Sequence, residues 1–130
     1  EAIIASNAMQ APSAFHLESY NITSSNITSA MASVAMVRAG EKSVGVATGD
    51  GPIDAAFRAI EQCVGHHYEL DAFQIRAVTQ GKEALGDAVV RLRSGGKLFS
   101  GNGLSTDIVG ASIRAYVNAL NKIIFEEEQA

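Results

Sequence analysis

The sequence predicts an α+β fold in which two consecutive βββα units form one domain. A Gly-x-Gly pair lies between a strand-like and a helical segment at Gly49–Gly51, and the pattern returns at Gly101–Gly103, 52 residues later. Strands joined by hairpin turns and followed by one helix are typical of α+β folds, whereas a βαβ unit needs a helix between its strands. A single such unit would bury little apolar surface, so we expect both units to contribute to a core.

The strands are predicted from short apolar or alternating segments between turn residues. The predicted strands are 15–22, 32–37 and 43–48 in the first unit, and 70–78, 88–93 and 97–100 in the second. Gly40-Glu41-Lys42 is predicted to form a tight turn in the first unit. Ser94-Gly95-Gly96 is predicted to form the hairpin turn of the second.

Each glycine pair is followed by apolar residues at helical spacing. Pro52 suits a first helical turn because its missing N–H would be unpaired there, and Gly65 is a plausible C-terminal stop. Ser105 or Thr106 can cap the second helix, with Asp107 near the positive end of its dipole. The apolar faces consist of Ile53, Ala56, Phe57 and Ile60, and of Ile108, Ala111, Ser112, Ala115, Val117, Leu120 and Ile124.

Composition excludes several classes of partner and site. The net charge of −4 and the absence of any Lys/Arg run argue against nucleic acid, which needs a basic face. No apolar stretch reaches the roughly 18–20 residues of a membrane span. The single cysteine, Cys63, excludes an internal disulfide and a cysteine-based zinc site, is expected to be buried, and fits the cytoplasm. The 18% charged content indicates either a partner-covered surface or a large apolar core.

The start of the chain differs in character from the rest. Ser6-Asn7-Ala8 followed by Met9 is typical of a cloning remnant. We therefore interpret residues 1–14 as a remnant or linker and residues 15–130 as the domain, with its two subunits at 15–66 and 67–125.

The glycine pairs are candidate anion sites. A glycine loop that opens a helix presents free N–H groups at the positive end of the dipole, which suits a carboxylate or a phosphate. The third glycine of the dinucleotide fingerprint is replaced by Asp54 and Thr106, and the Gly-Lys-Ser/Thr of a phosphate loop is absent. Plain tight turns remain the alternative interpretation of both pairs.

No catalytic constellation is visible. The histidines are His16, His66 and His67, and the last two follow the predicted helix stop in what we expect to be an exposed loop. A Gly-x-Ser-x-Gly elbow is absent, and Asp54 and Asp107 are better explained as residues of helix N-termini. We therefore expect no enzyme activity in this chain, and a small enzyme of unknown type remains an alternative.

Three segments carry a resemblance to a known family. Residues 48–60 and 99–121 resemble two signatures of the C-terminal leucine-sensing domain of 2-isopropylmalate synthase, and residues 79–86 resemble its linking turn. The resemblance extends from about Phe15 to Ile124 and implies a homodimer that binds leucine. It also implies a separate catalytic barrel in the same protein, which condenses acetyl-CoA with a 2-keto acid and holds a divalent metal. Neither that metal nor another cofactor is expected in this chain.

The resemblance also implies a set of leucine-binding residues. The ligand carboxylate would meet the helix N-termini at Gly51 and Gly103, and its ammonium would meet Asp54 or Asp107. Residues 70 and 73 face opposite sides of a regular strand, so a bulge or an earlier strand start is required. The predicted ligand-binding residues are Gly49, Gly51, Ile53, Asp54, Leu70, Phe73, Ala77, Ala84, Gly101, Gly103 and Leu104.

Two related functions remain open. The isoleucine-sensing domain of citramalate synthase is the first, because leucine and isoleucine differ only in the position of one methyl branch, worth about 1–3 kcal/mol in an apolar pocket. A dimerisation module that binds no ligand is the second.

Overall fold

The computed structural model describes residues 14–24, 29–80 and 83–129, and the predicted remnant or linker lies almost wholly outside them. The predicted βββα order occurs twice, which confirms the α+β fold. The elements are β1 (Phe15–Thr23), β2 (Ala30–Arg38), β3 (Glu41–Gly49), α1 (Pro52–Val64), β4 (Glu69–Gln80), β5 (Glu83–Ser94), β6 (Lys97–Ser105) and α2 (Ile108–Gln129).

The chain divides into two compact units. The first unit is His16–His67, and the described part of the second consists of Ala14 and Phe15 together with the residues from Tyr68 onward. One three-stranded sheet has the order β1-β2-β3 and the other β4-β5-β6. Within each unit the helix packs mainly on the second and third strands, α1 on β2 and β3, α2 on β5 and β6.

The hairpins differ slightly from their predicted turns. Arg38 pairs with Glu41 and Ser94 pairs with Lys97, so each turn has two central residues. These are Ala39 and Gly40, with φ of 53° and 81°, and Gly95 and Gly96, with φ of 59° and 79°. Two positive φ angles match the right-handed twist of the flanking strands. The sequence predicts Glu41 and Lys42 in the first turn, but in the structure they begin β3.

The internal repeat has a different register from the one that the glycine pairs suggested. β3 begins at Glu41 and β6 at Lys97, 56 residues later, and the two helices begin at the same spacing. Gly101 therefore corresponds to Gly45 and not to Gly49. The expected pairing of Gly49–Gly51 with Gly101–Gly103 is wrong, because both members of the second pair lie inside β6.

Gly45 and Gly101 serve helix packing. A Cβ atom at Gly45 would overlap the carbonyl oxygen of Ala59, and one at Gly101 would overlap that of Ala115. A Cβ atom at Gly103 would likewise overlap the carbonyl oxygen of Ala111. Only glycine lets the helix backbone lie this close to the strand, so these residues fix the helix on its sheet.

The first helix begins and ends as the sequence predicts. Gly51 is its extended N-cap residue and Pro52 its first helical residue. Gly65 terminates it in the left-handed conformation, with φ of 77°, and donates its N–H to Glu61 O at 2.8 Å. His66 and His67 follow and are exposed, as expected.

The second helix is capped by Asp107. Its carboxylate accepts hydrogen bonds from Val109 N at 3.1 Å and Gly110 N at 3.2 Å. Ser105, which we had considered as the cap, instead accepts a hydrogen bond from Asp107 N through its Oγ at 3.1 Å. α2 has 22 residues against 13 in α1, so it extends well beyond the repeated portion.

Each unit has a helix-on-sheet core. Val34, Met36 and Ile60 are fully buried in the first unit, and each such side chain contributes about 1.5–3 kcal/mol relative to exposure. The second unit has the larger set of fully buried apolar side chains: Ala88, Val90, Leu92, Ala111, Ile113, Ala115, Tyr116, Ala119, Leu120 and Ile123. Neither described helix is long and apolar enough to cross a membrane.

Helix side chains form hydrogen bonds with backbone groups of the outer strands β3 and β6. Gln62 Oε1 accepts a hydrogen bond from Val46 N at 3.0 Å. In the second unit Asn118 Nδ2 donates to Asn102 O at 2.5 Å, and Lys122 Nζ donates to Ser100 O at 2.6 Å. Each helix therefore satisfies backbone groups that an edge strand would otherwise present to another chain.

Candidate ligand-binding site

The N-terminus of α1 is the best-formed anion site among the predicted residues. Gly51 is extended, with φ of −153°, and forms no side-chain cap. The first backbone hydrogen bond of the helix runs from Ala55 N to Gly51 O, and Pro52 has no N–H. The first-turn N–H groups of Ile53 and Asp54 therefore depend on acceptors other than a cap at Gly51, and a ligand carboxylate could supply one.

Asp54 holds the glycine loop together. Its Oδ2 accepts hydrogen bonds from Asp50 N at 3.0 Å and from Arg58 Nε at 3.1 Å. A Cβ atom at Gly49 would lie 2.5 Å from the same oxygen, so this loop closes tightly on the helix. Asp54 can therefore act on a ligand ammonium only from within an ion pair with Arg58, and both side chains are partly exposed.

The second predicted anion site is absent from its expected place. Gly101 and Gly103 lie in a strand, and the helix that follows begins at Ile108. The N–H groups at that helix start are already bonded to Asp107. The structure thus contradicts the expectation of two equivalent glycine loops and leaves the loop at Gly51 as the candidate.

The β-bulge required for the apolar part of the site is present. The register between β4 and β5 shifts between Leu70 and Ala72. Leu70 pairs with Leu92 and Phe73 with Val90, two residues apart on one face, so Leu70 and Phe73 share that face. The prediction that an irregularity brings these two side chains together is confirmed.

This face of β4 remains accessible beside α2. Leu70 is 44% and Ile75 38% exposed, although both pair with residues of the buried face of β5. The helix packs mainly on the two neighbouring strands and leaves the β4 side chains partly uncovered. Ile75 was missed in the sequence prediction, although it follows Phe73 at the strand period of two.

The remaining apolar residues of the predicted site are Ala77, Ala84 and Leu104. Ala77 pairs with Gly86 and Ala84 with Thr79 in the backbone register, and the side chains of Ala77 and Ala84 lie outside the described part of the structure. Leu104 pairs with Asp87, on the opposite face, and is 53% exposed. The structure therefore does not bring Leu104 together with the other apolar residues of the predicted site.

A second concave surface lies in the first unit, beside the edge of β3. It is an open groove of about 700 Å³ lined by Val46, Ala47, Thr48, Arg58, Glu61, Gln62, Gly65, His66 and His67. Glu61 Oε2 and His67 Nδ1 lie 2.5 Å apart on its wall. The groove could not be predicted from the sequence, because its residues come from three separate segments.

Cys63 lies on the same helix and is half-buried, less enclosed than expected. Its thiol donates to Val34 O at 3.4 Å and lies 3.8 Å from Ser43 O. Burial raises the pKa of the Cys63 thiol above 9.0, and a hydrogen bond from the Gly45 backbone offsets part of that change. The thiol is therefore protonated at neutral pH and is a poor nucleophile.

The described residues contain no group of three His, Cys, Asp or Glu side chains that could hold a metal ion. Two βββα units, each a three-stranded antiparallel sheet followed by a helix, define the class of the chain as an α+β domain built from an internal repeat.

Comparison with known families gives a more specific identification. The chain belongs to the LeuA allosteric (dimerisation) domain family, whose model matches residues 1–124.

Similar proteins support the same family. The chain is 39% identical over 127 residues to the 2-isopropylmalate synthase of Carboxydothermus hydrogenoformans, covering 97% of this chain and 25% of the relative. It is 41% identical over 126 residues to that of Ruminiclostridium cellulolyticum, with the same coverage. For Prochlorococcus marinus the identity is 38% over 130 residues, 99% of this chain and 24% of the relative. The chain thus spans about a quarter of the length of these relatives.

Proposed function

We propose that this chain is the leucine-binding regulatory and dimerisation domain of a 2-isopropylmalate synthase. The observation that carries the proposal is the family match over residues 1–124, together with relatives of that name that align with nearly the whole chain. In the whole protein, a catalytic barrel would condense acetyl-CoA with 2-oxoisovalerate in the cytoplasm. Leucine, the end product of that pathway, would bind this domain and inhibit the barrel.

The polar groups of the first unit suit the charged end of an amino acid. The open N-terminus of α1 at Gly51 would hold the carboxylate through first-turn N–H groups and the helix dipole. Asp54, held by Asp50 N and Arg58, would attract the ammonium. A zwitterionic amino acid carries its carboxylate and its ammonium within a few ångströms of each other. It therefore suits a site where a positive helix N-terminus and a negative carboxylate are neighbours.

The apolar face of β4 suits a branched aliphatic side chain. Leu70, Phe73 and Ile75 share that face, and α2 leaves them partly uncovered. Burial of a four-carbon side chain there would stabilise the complex by about 0.8 kcal/mol for each methylene group buried. This estimate does not distinguish leucine from isoleucine, whose side chains have the same number of carbons.

The exposed face of the first sheet supports self-association. Met31, Val44 and Val46 are 49%, 57% and 50% exposed and lie on the face away from α1. The corresponding face of the second sheet carries ion pairs, such as those of Arg93 with Asp71 and Arg76 with Asp87. An exposed apolar patch rimmed by polar groups is typical of a protein interface, and the homodimer would bury it.

The experiment that tests the proposal is calorimetric titration of the folded chain with leucine, with isoleucine and valine in parallel. We expect saturable leucine binding that is clearly tighter than isoleucine binding. Tighter isoleucine binding would instead assign the chain to a citramalate synthase. The absence of heat from all three amino acids, for a folded dimer, would leave a dimerisation module without a ligand and refute the leucine site.

A further inference from the structure

The second unit holds the backbone of Phe15 through the buried side chain of Asn121. Asn121 Oδ1 accepts a hydrogen bond from Phe15 N at 2.8 Å, and Asn121 Nδ2 donates to Phe15 O at 2.8 Å. Asn121 is 0% exposed and Phe15 2%. One amide thus satisfies both backbone groups of one residue, and the two bonds together fix the position of that residue.

Asn121 stands at the point where the two repeats diverge. The residue 56 positions before it is Gly65, which ends α1 in the left-handed conformation. α2 instead continues through Asn121 to Gln129. The extension buries Ile123 and Ile124, so it is a packed part of the second unit. The residue that forms both hydrogen bonds with Phe15 therefore lies in a helical extension that has no counterpart in the first unit.

The Asn121 amide contributes both to the stability of the second unit and to the placement of Phe15. An apolar residue in place of Asn121 would take both hydrogen bonds from buried backbone groups of Phe15, at a cost in free energy for each group left unbonded. Ser112, the other fully buried polar residue described on α2, bonds to Ile108 O within its own helix at 2.8 Å. Asn121 reaches a residue 106 positions away instead, and so determines where the chain enters the second unit.

We propose that the Asn121–Phe15 pair couples the position of α2 to the chain segment that precedes β1. The proposal rests on the proposed function, in which that segment leads to the catalytic barrel. Ala14 is 1% exposed, so the chain is already held by the second unit where β1 begins. The proposal requires that leucine binding shift α2, and the two hydrogen bonds would pass that shift to the incoming segment. Asn121 is a positioning residue that contacts neither effector nor substrate.

The test uses the full-length enzyme with Asn121→Leu, which keeps an apolar side chain in the core and removes both hydrogen bonds. We expect unchanged turnover without leucine and an unchanged leucine Kd by calorimetry. The ratio of turnover without leucine to turnover at saturating leucine should fall at least about fivefold, the low end of ordinary allosteric coupling. Ser112→Ala is the matched control, and it should leave inhibition as in the wild type because its hydroxyl bonds within α2.

A second measurement, made on the wild-type protein, tests the coupling even if the Asn121→Leu variant does not fold. In the wild-type protein, leucine should slow hydrogen exchange at the Phe15 amide, because α2 then holds it more firmly. Unchanged Phe15 exchange on leucine binding would overturn the coupling proposal, as would wild-type inhibition in a folded Asn121→Leu enzyme. A wild-type enzyme that does not bind leucine would refute the proposed function itself, and the calorimetry separates that result from a failure of Asn121 alone.

Discussion

Gly51 and Asp107 occupy the same position in the two units, each immediately before a helix, but only Asp107 caps its helix. The Asp107 carboxylate accepts hydrogen bonds from two first-turn N–H groups of α2, whereas Gly51 has no side chain to offer α1. The two helix N-termini therefore differ chemically. The second is occupied by its own chain, and the first is open to an external carboxylate.

The Gly51→Asp variant should remove leucine binding while the fold is retained. A Cβ atom at Gly51 meets nothing within 4 Å, and its extended backbone suits any residue. An aspartate there would stabilise α1 by about 0.3–1 kcal/mol through the helix dipole and would repel a ligand carboxylate. Thermal unfolding and calorimetry measure the two effects. Gly51→Ala is the uncharged control, and leucine binding that persists in Gly51→Asp would count against this site.

Leu70→Ala should weaken leucine binding by about 5- to 30-fold, equivalent to roughly 1–2 kcal/mol of lost apolar contact. Leu104→Ala is a matched control, because Leu104 is similarly exposed on the opposite face of the same sheet. We expect it to leave the leucine Kd unchanged. The reverse pattern in calorimetry would restore Leu104 to the site and move the apolar contacts to the other face.

Gly101→Ala should destabilise the chain by at least about 1–3 kcal/mol, because its Cβ would overlap the backbone of α2 at Ala115 and Ala119. Gly86→Ala is the control in the same sheet, since its Cβ would make ordinary contact with Ile108 at 3.4 Å. Urea unfolding should show a lower midpoint for Gly101→Ala alone, with an unchanged slope. Equal midpoints would mean that α2 does not lie against β6 at this position.

Cys63 should react slowly with thiol reagents near neutral pH. Burial raises the pKa of its thiol above 9.0, so the folded chain binds the proton more tightly than the unfolded chain. The protonated thiol therefore contributes stability that is lost as the pH rises above 9. Urea titrations should show a smaller fall in stability above pH 9 for Cys63→Ala than for the wild type. Equal alkylation rates for the folded and urea-unfolded chain would contradict the burial of this thiol.

The sequence predicted those parts of the fold that depend on local chemistry. Pro52 and Gly65 bound α1 as expected, because both residues have strong backbone preferences. The conflict between the positions of Leu70 and Phe73 required a bulge or an earlier strand start, and the structure has the bulge. The helix bounds needed only the residues nearby, whereas the bulge followed from two residues that the family resemblance placed in one site.

The alignment of the repeat could not be predicted in the same way. A glycine that opens a loop and a glycine that admits a helix backbone look alike in a sequence. Gly101 is of the second kind, and only its contact with Ala115 shows this. The two hydrogen bonds between Asn121 and Phe15 could not be predicted from the sequence either, because they join positions 106 residues apart.

The edge bonds made by Gln62, Asn118 and Lys122 bear on how copies of this domain can associate. A strand whose outward backbone groups are already engaged is a poor template for a further strand from another molecule. Growth of an open-ended sheet along β3 or β6 would first have to break those bonds. The first sheet can therefore expose apolar side chains for pairing with a partner, while the β3 and β6 edges resist the addition of a further strand.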